Sequence, residues 1–326
     1  MAQLTMVEAL NLALTEAMRD DRNVLVMGED VGQDEGVFRV TKGLLAEFGE
    51  NRCIDTPLAE AGIVGAAIGL CLKGFLPVCE MQFDGFSYQA FHHVEGHVRR
   101  MRNRTRGRFT CPLVIRMPYG AGIRAIEHHS EQPEALYAHL AGLKVVLPSS
   151  PRNARALLRE AIFCPDPVIF LEPKALYRAF REEVPDEPET LPIGKGRVAR
   201  PGKDVTIVTY GPTTRTALEA ADELADDYNV DAEVLDLLSV APLDSDLIQE
   251  SVRRTGRAVV VHEAPRHCGV GGEIVARIVE ESLMYLEAPI KRVTGWDMAM
   301  PFFANERHFI PDPGRIIKAT METVEF

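Results

Sequence analysis

In the stretch "DTPLAEAGIVGAAIGLCLKGFLPVCEMQF", residues 55–83, a single acid, Glu60, stands directly ahead of an uncharged run from Ala61 to Leu72, which a short strand-like segment follows. Thr56-Pro57 reads as a helix start, a capping hydroxyl followed by proline at the first helical position, which places Glu60 in the first turn. Behind it the helix is apolar all round and is therefore expected to be buried. Gly62, Gly65 and Gly69 leave its surface flat enough for another backbone to approach. An acid in a first turn ordinarily complements the helix dipole, a gain of about 0.3–1 kcal/mol. That device suits a helix with a wet face, which this one lacks. A carboxylate at the mouth of a buried helix is either partnered or functional, because desolvation disfavours its charged form and suits it to hold and pass a proton.

The same alternation extends outward. "NVLVMG" at 23, "LPVCEMQF" at 76, "PLVIRM" at 112, "LKVVLP" at 143 and "PVIFLE" at 167 read as strands, with helical patterns between most of them. This predicts an α/β fold, a mostly parallel sheet with helices on both faces. From Arg181 the sequence "REEVPDEPETLPIGKG" loses all apolar periodicity. Beyond it a second alternating unit runs through "DVTIVTYG", "DAEVLDL" and "AVVVHEA", with helices near 213–227, 244–254 and 271–286. The expected division is one α/β domain over 1–185, a linker over 186–200 and a smaller α/β domain over 201–326.

Composition narrows the function. The 326 residues carry a formal net charge of −12, which works against a nucleic-acid role. The six cysteines are scattered singly with no C-x-x-C pair, the pattern of reduced core thiols in a cytoplasmic protein. The N-terminus has acids at Glu8 and Glu16 and no basic leader, and the longest uncharged helical run is well short of the roughly 20 residues a membrane span needs.

Several stretches could carry chemistry. The loop "PYGAGIRAIEHHSE", 118–131, ends in His128, His129 and Ser130; with no G-x-S-x-G elbow, histidine acid–base chemistry suits it better than a serine nucleophile. "FHHVEGHV" spaces His93 and His97 as a helical pair, but no H-E-x-x-H and no third ligand follow, so a packed or surface histidine stripe is favoured over zinc. The arginines from Arg99 to Arg108 suggest anion binding or a subunit interface. "GVGGE", 269–273, opens a helix after a strand without completing G-x-G-x-x-G, leaving a nicotinamide site as a weak alternative. A non-enzymatic scaffold that uses the flat helix only for assembly also stays open.

Read together and in order, "LVMGEDVG", "DTPLAEAGIVGAAIGL", "EMQFDGF", "EHHSE", "GLKVV", "PDPVIFLEPKALYR", "LPIGKG", "VVVHEAPR" and "LEAPIKRVTG" resemble the β subunit of the thiamine-diphosphate-dependent decarboxylating component of 2-oxo acid dehydrogenase complexes. The likeness runs from about residue 4 to the C-terminus. It implies a pyrimidine-binding domain followed by a transketolase-like C-terminal domain. The implied activity is that of an oxidoreductase, oxidative decarboxylation of a 2-oxo acid with reductive acylation of lipoamide, exercised only with an α subunit. Branched-chain substrates are favoured by "EMQFDGF", "EHHSE" and "VVVHEAP", while "LYRAFREEVP" and "LPIGKG" suit pyruvate forms equally.

The resemblance also assigns residues. Glu60 matches the glutamate that hydrogen-bonds the pyrimidine nitrogen of thiamine diphosphate and drives formation of its reactive imino form. Phe86 matches the aromatic that packs on the aminopyrimidine, with Gln82 and Leu58 at neighbouring positions. Glu29 matches an acid in a polar path between paired active sites, and His129 the histidine that meets the substrate and assists acyl transfer to the lipoyl arm. Leu113, Ala161, Ile162, Cys164 and Asp166 match a structural potassium site, several through carbonyl oxygens. No G-D-G motif occurs, so the diphosphate and Mg2+ are expected on the α subunit of a heterotetramer of two α and two β chains. Glu287 and Phe326 match the region that docks the small basic domain of the lipoyl-bearing acyltransferase core.

Overall fold

The computed structural model describes residues 1–326, which divide into two compact units. The first comprises Met1–Tyr119 and His128–Ile193. It is built from strands β1 (Ala2–Leu4), β2 (Val24–Gly28), β3 (Cys53–Asp55), β4 (Leu76–Glu80), β5 (Val114–Tyr119), β6 (Lys144–Val146), β7 (Val168–Pro173) and β8 (Glu182–Val184). Its main sheet has the order β6-β7-β5-β4-β2-β3, and every pairing in that run is parallel. β1 and β8 form a separate antiparallel ladder. The helices are α1 (Met6–Asp20), α2 (Leu44–Phe48), α3 (Glu60–Leu72), α4 (Phe91–Gly96), α5 (Met101–Arg104), α6 (Glu134–Ala138) and α7 (Pro151–Ile162).

Sequence chemistry accounts for the longer helices. Thr5 and Glu8 close a capping box at the start of α1, which buries Met6, Leu10, Leu14 and Met18 on one face. α7 starts with Pro151 and packs against α1. Arg155 joins the two helices, its Nε lying 3.0 Å from an oxygen of Glu16.

The second unit comprises Gly194–Phe326 together with Gly120–Glu127. Its strands are β9 (Arg197–Arg200), β10 (Val205–Thr209), β11 (Ala232–Asp236), β12 (Ser239–Ala241), β13 (Ala258–Pro265) and β14 (Lys291–Gly295), and its helices α8 (Thr213–Tyr228), α9 (Ser245–Thr255), α10 (Val270–Ser282), α11 (Glu306–Phe309) and α12 (Pro313–Val324). The sheet order is β14-β13-β10-β11-β9, parallel except for the antiparallel edge strand β9. Val205, Ile207, Val234, Val259 and Val261 of the sheet pack with Ala217, Leu224, Ile316 and Ile317 of α8 and α12.

Three sequence expectations need correction. The stretch read as linker, 186–200, ends in β9, which pairs with β11 and so belongs to the second sheet. α3 begins at Glu60, three residues after Pro57, because the Thr56 N–H donates to the Gly28 carbonyl and carries the chain on from β3 before the helix starts; no side chain caps it. Nor is α3 buried all round: Ile63, Val64, Ala67 and Cys71 are covered, but Gly62, Ala66, Gly69 and Leu72 are exposed.

Candidate active site

In a parallel α/β sheet the connections leaving the carboxyl ends of the strands form the ligand-binding edge. Glu29 and Asp30 follow β2, Leu58 and Glu60 follow β3, Gln82 and Phe86 follow β4, and His129 lies on the connection after β5. All six expected catalytic and cofactor residues therefore share one edge of the first unit.

Around Glu60 the edge is acidic. Glu60 occupies the first position of α3 with 4% of its surface exposed, and its Oε2 has no hydrogen-bond partner. Burial, and then the like charges of Asp30 and Glu60, push the Glu29 carboxyl above its ordinary range, so Glu29 and Glu60 are electrostatic neighbours. Gln82 Nε2 donates to Asp30 Oδ2 at 3.0 Å. Asp55, at the end of β3, fixes the connection after β2 by accepting from the N–H groups of Gly32 and Gln33 at 2.6 and 3.0 Å. A buried carboxylate oxygen without a donor is costly. Glu60 Oε2 is therefore a candidate acceptor on this edge.

Beside the acids lies an aromatic cluster. The His129 ring centroid is 4.3 Å from Phe83 and 5.1 Å from Phe86, and the two phenylalanines are 5.6 Å apart. Gly85 makes the approach possible, since a Cβ there would lie 2.3 Å from the His128 carbonyl oxygen. The turn beneath is held by buried polar groups: Asp84 accepts from the Gly85 N–H at 2.9 Å, and its other oxygen lies 3.7 Å from Lys174 Nζ, both side chains being fully buried. Ser87 donates to the Asp84 carbonyl and accepts from the Tyr137 hydroxyl.

Deeper in the sheet, the Arg116 guanidinium bonds Glu172 through Nε and Nη2 at 2.6 and 2.7 Å and Glu80 through Nη1, and Tyr177 donates to Glu172. Sequence reading missed Phe83, Asp84, Lys174 and Arg116. The available signal was charge inside strand or turn motifs, as in "FLEPK" and "VIRM".

On that edge Leu58 is the outlying member, and the expected metal and docking residues lie elsewhere. Leu58 is 64% exposed on the connection before α3. Leu113 and Asp166 precede β5 and β7, and Ala161 and Ile162 end α7, so the expected potassium ligands gather at the opposite, amino edge of the sheet. The Leu113 carbonyl accepts from Val168, Asp166 accepts from Arg102 Nε at 2.6 Å, and Lys144 Nζ lies 3.0 Å from Cys164 Sγ. Glu287 pairs with Arg257 at 2.7 Å, and Phe326 is 79% exposed, both in the second unit. Several of the clustered arginines are engaged within the chain: Arg99 and Arg100 bond Glu95, and Arg104 bonds Gly96 and His97. Gly269 and Gly271 of "GVGGE" make room for the buried His262 ring, since a Cβ on Gly271 would lie 2.6 Å from its Nε2 and one on Gly269 2.8 Å from its Cε1. That packing accounts for both of these glycines.

The description "Transketolase, pyrimidine binding domain" fits residues 2–179, and "Transketolase, C-terminal domain" fits residues 194–316. The chain is 51% identical over 314 residues to the 3-methyl-2-oxobutanoate dehydrogenase subunit beta of Mycobacterium tuberculosis (strain ATCC 25618 / H37Rv), covering 96% of this chain and 90% of the relative. It is 49% identical over 327 residues to the pyruvate dehydrogenase E1 component subunit beta of Staphylococcus aureus, covering 100% of both. Among solved structures, a split-gene transketolase in the form of an inactive beta4 tetramer superposes with a TM-score of 0.81 at 24% identity, over 99% of each chain, a likeness of fold. The chain thus belongs to the family of 2-oxo acid dehydrogenase β subunits, built from transketolase pyrimidine-binding and C-terminal domains.

Proposed function

We propose that the acidic and aromatic edge of the first unit is the pyrimidine half of a thiamine diphosphate site, completed by an α subunit that carries the diphosphate and Mg2+. The observation that carries this reading is Glu60, a carboxylate on the ligand-binding edge, buried, with one oxygen left without a donor. A protonated ring nitrogen would satisfy that oxygen, so the residues present fit the cofactor. When bound, thiamine diphosphate supplies the nucleophilic carbon and the electron sink that loss of carbon dioxide from a 2-oxo acid requires.

The chain's own groups then have defined tasks. Glu60 Oε2 holds the proton shared with the pyrimidine nitrogen, and its burial keeps that bond from competition with water. Phe86 packs against the ring, Gln82 and Leu58 flank it, and Glu29, whose carboxyl is held above its ordinary range, supplies a further proton-binding group beside Glu60. His129, seated against Phe83 and Phe86, moves a proton as the acyl group passes to the lipoyl arm.

The same reading places the chain in a heterotetramer of two α and two β subunits, with the exposed apolar strip of α3 packed on a neighbouring subunit. A potassium ion at the end of α7 would use carbonyl oxygens there, including second lone pairs of those already accepting one bond. Glu287, Phe326 and the net charge of −12 suit a basic docking domain of the acyltransferase core. Six cysteines without a disulfide, five of them buried, support a cytoplasmic setting.

Co-expressed with its α partner, Glu60→Gln is expected to assemble normally and to lose decarboxylation by about 100-fold or more, the scale of a lost acid–base group. Unchanged turnover would remove the mechanism. A branched-chain 2-oxo acid is the proposed substrate, supported by the sequence motifs. A higher kcat/KM for 3-methyl-2-oxobutanoate than for pyruvate on that assembly is the expected result, and the reverse order would reassign the protein to pyruvate.

A further inference from the structure

The segment Gly120–Glu127, which leads directly into His128 and His129, belongs to the second unit. Its backbone donors there meet carboxylates. The Glu263 carboxylate accepts from the Ala121 N–H at 2.6 Å, and Glu306 accepts with both oxygens, from Gly122 at 2.9 Å and from Arg124 at 3.0 Å. Both acids are nearly buried, with 4% and 5% of their surfaces exposed, whereas Ile123, Arg124 and Ile126 on the segment itself are exposed. The segment has no regular secondary structure, and Arg124 and His128 stand in left-handed conformations that non-glycine residues rarely adopt. Two apolar side chains facing outward and two unfavourable backbone positions give the segment little reason of its own to hold this path. A carboxylate that takes two N–H groups at once supplies one, because charge-assisted bonds are the strong ones and their geometry is fixed by both oxygens.

We infer that Glu306, assisted by Glu263, is a positioning residue for His129. Its carboxylate clamps the strap that delivers the histidine, so that acyl transfer depends on an acid far along the chain from the reacting groups. The inference rests on the role proposed for His129. Glu306 bonds the strap that leads into His129, so a loss caused by releasing the strap falls on acyl transfer more than on decarboxylation.

The test uses the assembled enzyme with its α subunit and three variants: Glu306→Ala, Glu306→Gln, which keeps one acceptor oxygen, and His129→Ala. Decarboxylation is read with an artificial electron acceptor, and reductive acylation with an isolated lipoyl domain. Glu306→Ala is expected to lower kcat for acylation at least 10-fold with less than a 3-fold change in decarboxylation, and Glu306→Gln to fall between it and the parent. Trypsin is expected to cut after Arg124 several-fold faster in Glu306→Ala, read by mass spectrometry. Parent-like acylation by Glu306→Ala alongside loss in His129→Ala overturns the inference and leaves the role of His129 standing. Parent-like acylation by His129→Ala overturns that role, and the inference with it. Should Glu306→Ala not assemble, Glu306→Gln decides, and an equal loss of both activities there marks a merely structural acid and overturns the inference.

Discussion

Arg116 is 1% exposed and shared between Glu80 and Glu172. Burial alone would disfavour its charge, but the Glu172 and Glu80 carboxylates outweigh that and hold the guanidinium above its usual range. Burial also raises the Glu80 carboxyl, against the pull of Arg116 and with help from the like charge of Glu172. Breaking such a group by removing one member leaves the others uncompensated, a cost of about 3–5 kcal/mol. Arg116→Met is therefore expected to lower stability by that amount, measured by urea denaturation, and an unchanged midpoint would mean that the carboxylates find other partners. Single residues differed in how plainly the sequence announced them. Glu60 stood out as the lone charge on an apolar helix, and Phe86 and His129 through their motifs. Arg116 and Lys174 did not, because a charge inside a strand motif reads as a solvated edge until the fold shows both faces covered.

At the scale of elements, α3 carries the clearest lesson. Its apolar run distinguished a helix that needs covering from one with a wet face, but periodicity cannot say whether the cover comes from the same chain. Within the chain, one side packs through Ile63, Val64 and Ala67, and the strip of Gly62, Ala66, Gly69 and Leu72 remains open. A Cβ added at Gly69 would meet nothing within 4 Å. Gly69→Leu is expected to stabilise the isolated chain by up to about 1 kcal/mol through helix propensity, yet to weaken assembly with the α subunit at least 10-fold. Size-exclusion chromatography of the co-expressed pair checks it, and normal assembly would show that no partner sits on this strip. Strand positions were legible because β-branched runs between turn residues have few alternatives. The start of α3 was not, because Thr56 and Pro57 satisfy a capping rule that the turn from β3 overrides.

For the molecule as a whole, division into two α/β units was readable from the loss of periodicity after Arg181. The edge strand β9 was hidden because an antiparallel edge needs little hydrophobic pattern. The capture of Gly120–Glu127 by the second unit was also hidden, since no local rule pairs residues so far apart. The second unit has its own sensitivity to acid. His262 is fully buried and stacks on Tyr210 with ring centroids 5.9 Å apart. Burial, and then the nearby Arg292 cation, push it down from 6.5 to about 4. A depressed value means that the unfolded chain binds the proton more readily, so the stability gained from a neutral His262 is complete above pH 6.5 and is lost as pH falls towards 4. The lost part is roughly 3 kcal/mol at about 1.4 kcal/mol per unit. His262→Phe is expected to flatten the urea midpoint between pH 7 and pH 4.5, and a slope as steep as the parent's would shift the acid sensitivity to other groups.

The strap before His129 also has an order in time. The acids that receive its N–H groups come 142 positions after Ala121 and 184 after Gly122. A chain leaving the ribosome folds its early domain first. During that interval the donors of Ala121, Gly122 and Arg124 are left to water. The strap is thus secured only once synthesis has passed Glu306, so a nascent chain stalled before it owns a finished first sheet and an unsecured strap.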